Sequence, residues 1–125
     1  MVTLFFCMLE KKYRITKQKE FDQFFGQNFK KLGGRSVSTK EFVFKYYENG
    51  QKLSRFAFIT SNKLDNRATV RNKLRRQLRD VVRLNLLKLK KNVDVLLVCQ
   101  KPILKLDYEQ LEQAMVSAAK KARLL

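Results

Sequence analysis

Hydrophobic positions change their spacing several times along the chain, and each change marks an element. Phe21, Phe24 and Phe25 stand at i, i+3 and i+4. This predicts a helix with Thr16 as N-cap, all three rings on one face, and Gly26 as its end. KKLGGRS, residues 30–36, reads as a loop around Gly33-Gly34, with a weak strand near Val37. EFVFKYY, residues 41–47, alternates: Phe42, Phe44 and Tyr46 fall on one face, Val43, Lys45 and Tyr47 on the other. Asn49-Gly50 supplies a turn and RFAFITS, 55–61, a returning strand, so 41–61 predicts a hairpin. Val70, Leu74, Leu78 and Val81 then recur with helical spacing up to about Val82. Beyond it Leu84, Leu86, Leu87 and Leu89 spread around the axis and predict a bend or an end. VDVLLVC, 93–99, is apolar enough for a buried strand, closed by Lys101-Pro102. The last helix has a capping-box pattern at Asp107 and Gln110 and staple positions at Leu106 and Leu111. Leu111, Ala114, Met115, Ala118 and Ala122 form its apolar face.

The predicted order is helix, two or three strands, helix, strand, helix. That is an α+β chain: a single-domain α/β sandwich with helices packed on one small sheet. Residues 1–8 precede this pattern as an N-terminal extension, and 9–125 form the domain. The opening apolar run lacks the basic flank and cleavage site of a signal peptide and has about half the length of a membrane span. Met8 is an alternative start. No other run is long enough to span a bilayer, which predicts a cytoplasmic protein with no membrane partner.

Composition adds a partner. Lys and Arg number 28 against 11 Asp and Glu, a net charge of +17 on 125 residues. Such a chain repels itself and calls for a polyanion. Residues 67–91 hold Arg67, Arg71, Lys73, Arg75, Arg76, Arg79, Arg83, Lys88, Lys90 and Lys91 against Asp80 alone. With Arg71 at 0° on a helical wheel, Arg75 falls at about 40°, Arg79 at about 80°, Asn72 at about 100° and Arg76 at about 140°, opposite the apolar stripe. Solvent-facing helices interleave Glu with Lys at i, i+4, whereas stacked arginines repel one another. Guanidinium forks match phosphate, so this face predicts RNA backbone contacts. The Phe21–Phe25 group, with Lys45 and Tyr47, predicts a separate stacking cleft for a single strand.

Catalytic chemistry is poorly supplied. The sequence has no His, so Ser-His-Asp and Cys-His arrangements are excluded, as are the usual zinc sites built with His. Cys7 and Cys99 lie far apart and read as reduced thiols. Asp65, Asp80, Asp94 and Asp107 form no cluster and read as surface groups, Asp94 facing outward by alternation. No phosphate-binding glycine loop is present.

ATVRNKLRRQLRD, residues 68–80, resembles the signature of the protein subunit of bacterial ribonuclease P. LEKKYRITKQKEFDQFF, EFVFKYY, RFAFITSNK and LLVCQKPILKLDYEQLEQ resemble the family's remaining blocks in the same order, from Leu9 onward. The resemblance implies an α/β sandwich like a domain of ribosomal protein S five, with the basic helix in a left-handed crossover. It implies a ribonucleoprotein that removes the 5′ leader of precursor tRNA, with Mg²⁺ and the chemistry held by the RNA subunit and the protein inactive alone. It implies that Arg71, Asn72, Lys73, Arg75, Arg76 and Arg79 face the ribonuclease P RNA, one protein to one RNA. Phe21, Phe25, Lys45, Lys63 and Lys101 would then meet the leader. Lys73 stands where the family usually has Arg, and Lys45 where an aromatic is common. A general RNA chaperone or ribosomal-type protein and a DNA-binding protein share the charge pattern. Leader-dependent affinity separates the first from the family reading, and a preference for duplex DNA the second.

Overall fold

The computed structural model describes residues 11–15 and 17–125. Residues 1–8, Cys7 and the expected N-cap Thr16 lie outside the described residues. The elements are α1 (Gln18–Asp22), α2 (Gly26–Lys31), β1 (Arg35–Ser38), β2 (Phe42–Glu48), β3 (Arg55–Ile59), α3 (Ala68–Asn85), β4 (Val93–Cys99) and α4 (Tyr108–Lys121). Short 3-10 turns cover Lys11–Tyr13 and Lys101–Lys105.

The sheet runs β1-β2-β4-β3. β4 is antiparallel to β2, with Tyr46 opposite Val95, and parallel to β3, with Phe56 opposite Val95. The predicted hairpin is therefore corrected: both strands form, but β4 lies between them. The reason is the apolar character of β4, whose residues are almost all buried on both faces. Such a strand is most stable in the centre of a sheet, while the more polar β1 takes an edge. Asn49 still turns the chain, accepting a hydrogen bond from Gln51 N at 2.9 Å. α3 carries the chain from β3 back to parallel β4.

Two layers of helix cover the sheet. On one face Phe42, Phe44, Phe56, Val95 and Leu97 pack with Leu74, Leu78, Val81 and Val82 of α3 and Leu111 and Met115 of α4. The stripe read from the sequence is the buried face of α3, and Leu84 beyond it is exposed. The capping box forms as predicted: Asp107 Oδ1 accepts from Gln110 N at 2.8 Å, and Gln110 Oε1 from Asp107 N at 3.1 Å. On the other face Ile15, Phe24, Tyr47, Ala57 and Leu96 form a smaller cluster under α1 and α2. Cys99 is a buried free thiol, its pKa pushed up to about 12 by burial.

The first helix differs most from expectation. It ends at Asp22, and Gly26 opens α2 with φ of 69° instead of closing a longer helix. The turn sends Phe24 inward, 1% exposed, and leaves Phe25 47% exposed. Phe24 seats its ring 5.1 Å from Tyr47 and 6.1 Å from Phe29. A continuous helix would hold Phe24 and Phe25 on one side and lose that burial. The loop predicted at 30–36 is confined to Leu32, Gly33 and Gly34, because its flanks belong to α2 and β1. Gly34 is required there: a Cβ would fall 2.4 Å from the Phe29 ring.

Asp94 corrects a second expectation, since it is 1% exposed. It accepts from Arg55 Nη2 at 2.7 Å, Arg55 Nε at 3.0 Å, Asn49 Nδ2 at 2.8 Å and Tyr47 OH at 3.1 Å. Alternation does place it on the opposite face from Val93 and Val95, but that face is covered. Arg55 also pairs with Glu20 of α1. Burial and the adjacent Asp94 raise the Tyr47 phenol well above its ordinary range.

Candidate nucleic-acid interface

Solvent-facing positions of α3 carry Asn72, Lys73 and Arg76, with Arg71, Arg75 and Arg79 half-buried along the flank. Arg71 Nη1 donates to Asp65 O at 2.9 Å, anchoring the first turn. Arg75 donates to Asn72 Oδ1. Asp80, the one acid on this helix, accepts from Arg83 and from Tyr108 OH, each at 2.6 Å. Among the described residues no carboxylate lies within ion-pair distance of Lys73, Arg75, Arg76 or Arg79.

Between α1, the outer edge of β3 and α3 lies a cleft of about 170 Å³. Arg75 and Arg79 line it from α3, Phe56 and Phe58 from β3, and Arg14 and Phe21 from the N-terminal segment. Arg14 reaches this place because the chain bridges to β3 there, Ile15 N donating to Phe56 O at 2.9 Å. Its Nε is buried without a hydrogen-bond partner. The Arg79 guanidinium is held below its ordinary pKa range by burial first, then by Arg14 and Arg75 beside it. Three guanidiniums and three aromatic rings thus share one cleft with no carboxylate in its lining. Removing like charges from water without a partner is costly, and a phosphate group would satisfy them.

The sequence reading kept Phe21 apart from the arginine face, but the fold joins them at this cleft. Phe25 belongs elsewhere: Lys45 Nζ stands 4.7 Å from its ring centre and 5.7 Å from that of Phe29, and donates to Phe24 O at 3.4 Å. That leaves a cation and an exposed ring side by side beside α1. Lys63 and Lys101 are exposed just beyond the ends of parallel β3 and β4, at one end of the sheet. No ring or hydrogen-bond contact joins them to Lys45. Sequence reasoning missed Arg14, whose place depends on the bridge to β3 and leaves no periodic signal. No described helix is long and apolar enough to cross a membrane.

A protein-family model described as Ribonuclease P matches residues 9–123. A ribonuclease P protein component from Syntrophomonas wolfei is 36% identical over 117 residues, covering 94% of this chain and 92% of that protein. One from Streptococcus agalactiae is 32% identical, covering 94% of this chain and all of the relative. Among solved structures, the RNase P protein of Staphylococcus aureus superimposes with a TM-score of 0.75 at 25% identity, over 90% of this chain and 96% of that one. That of Thermotoga maritima gives 0.72 at 25% identity, over 86% and 96%.

Proposed function

The chain belongs to the ribonuclease P protein family, and from that premise we propose that it binds the catalytic RNA of a tRNA-processing ribonuclease P and the 5′ leader of its precursor substrate. The observation that carries this reading is the cleft of Arg14, Arg75 and Arg79 beside Phe21, with three cations and no carboxylate in its lining. Arg71, Asn72, Lys73 and Arg76 extend the same charge along α3 toward the RNA subunit. Phe25 and Lys45 offer a stacking ring and a cation to an unpaired leader nucleotide, with Lys63 and Lys101 adding phosphate contacts at the end of the sheet. The RNA subunit holds Mg²⁺ and hydrolyses the phosphodiester. The protein contributes cations that offset phosphate repulsion, and so lowers the Mg²⁺ the complex requires.

The test is cleavage of a precursor tRNA with its 5′ leader at low Mg²⁺, using protein alone, a bacterial ribonuclease P RNA alone, and both together. Only the mixture is expected to cut, at the mature 5′ end. Cleavage by the protein alone, or a mixture no faster than RNA alone, overturns the reading.

A further inference from the structure

At the end of the sheet where β4 begins, a cavity of about 510 Å³ opens between β1, β2 and the C-terminal end of α4. Arg35, Lys91 and Arg123 line it beside Tyr46, with Glu48 as the one carboxylate. Glu48 and Lys91 lie 3.2 Å apart and both are mostly exposed, so solvent screens the pair. Arg35 and Arg123 have no carboxylate within ion-pair distance among the described residues.

The backbone at Arg123 adds an independent observation. Arg123 has φ of 60°, alone in positive φ among the described non-glycine residues. It follows the C-cap of α4, with Arg123 N donating to Lys120 O at 3.0 Å and Leu124 N to Ala119 O at 2.9 Å. This is a helix ending where glycine is ordinarily found. Buried Leu124 pins the turn. The dipole does not explain an arginine here, because Lys120 and Lys121 already complement it in the last turn. An L-residue held in this region points to a use for its side chain. Exposed Lys88 and Lys90 lead from the end of α3 to Lys91, so positive charge continues from the arginine face to the cavity.

We propose that this cavity is a second phosphate site, in which Arg35, Lys91 and Arg123 hold a backbone phosphate of the RNA subunit at the end of the sheet opposite Lys63 and Lys101. The proposal rests on the reading that the chain binds that RNA. Arg35 and Arg123 supply guanidinium forks, and Lys91 exchanges Glu48 for the phosphate. Tyr46 forms part of the wall beside them.

The experiment measures binding of the full chain to the RNA subunit across a salt series for R35Q, R123G and, as reference, R75A/R79A, with thermal midpoints for each. R123G is expected to keep or raise the midpoint, since glycine adopts φ of 60° without strain. It should nevertheless lower affinity roughly three- to tenfold and reduce the salt slope by about one contact. R35Q should do the same to binding. If R35Q and R123G bind like the parent while R75A/R79A binds more weakly, this proposal falls and the RNA-binding reading stands. If all three bind like the parent, both fall. A midpoint that drops together with affinity in R123G makes Arg123 a structural residue and overturns the site. So does a loss confined to precursor tRNA binding by the assembled complex.

Discussion

Arg55 on β3 and Arg79 on α3 both bring a guanidinium partly out of water, yet they are treated in opposite ways. Arg55 lies between Asp94 and Glu20, and its hydrogen bonds to Asp94 raise its pKa. Arg79 lies beside Arg14 and Arg75, and burial among like charges lowers its own. The first arginine is complete within the fold. The second has no carboxylate in the lining of its cleft, and the proposed function gives it a phosphate instead. Under the proposed function the same residue type serves structure in one place and recognition in the other, and the surrounding carboxylates decide which.

The largest expected effect breaks the complete site. Asp94→Ala would leave Arg55 with its inner partner gone and the Tyr47 hydroxyl without its acceptor, while the Asn49 amide would keep only its bond to Leu53 O. Removing one partner of a buried pair costs roughly 3–5 kcal/mol. Urea denaturation should show the midpoint falling accordingly. A loss under about 1 kcal/mol would mean that the network is not structural. The incomplete site should answer in reverse. Arg75→Ala with Arg79→Ala removes like-charge repulsion, so stability should hold within about 0.5 kcal/mol. Binding to the RNA subunit should weaken, and its salt slope should shrink by roughly one per lost phosphate contact. A fall in stability with an unchanged slope would put these arginines in the same class as Arg55.

The two classes were unequally legible in the sequence. α3, its apolar stripe and its arginine face were readable because one helix generates both from local periodicity. The α4 capping box was readable because its partners are three residues apart. Asp94 was not: its fate depends on α1 and α2 covering a sheet face that alternation alone assigns to solvent. The central place of β4 was missed for a related reason. Strand strength is local, whereas strand order depends on which strand can be buried on both faces. Arg14 entered the cleft through a bridge to β3 that no spacing encodes.

Phe24 and Phe25 sharpen the comparison at the scale of adjacent residues. Both belong to one sequence pattern, but the turn at Gly26 buries the first and exposes the second. Phe25→Ala should leave thermal stability nearly unchanged and cost leader-bearing precursor about 1–3 kcal/mol of affinity in the holoenzyme. Phe24→Ala should instead cost stability, on the order of 3–5 kcal/mol, through the lost packing on Tyr47 and Phe29. Equal affinity of parent and Phe25→Ala for leader-bearing and leaderless tRNA would remove Phe25 from the leader surface.

Glu20 is where the two arginine environments meet, and its effect should be the smallest. It belongs to α1, which has only five residues, none of them buried, and no side-chain N-cap bond. Helices this short do not persist by themselves. α1 is therefore held by its attachments, of which the Glu20–Arg55 pair is the one ion pair among the described residues. Glu20→Gln leaves Arg55 with both bonds to Asp94, so no guanidinium is stranded and the stability cost should stay at about 0.5–1 kcal/mol. The consequence is positional. A looser α1 displaces Phe21 from the arginine cleft, and leader-bearing precursor should lose affinity by up to about fivefold. Affinity for leaderless tRNA and for the RNA subunit should stay at the parent's value. An equal loss with and without the leader would show that Glu20 acts on the fold as a whole, and that the complete arginine site does not position the incomplete one.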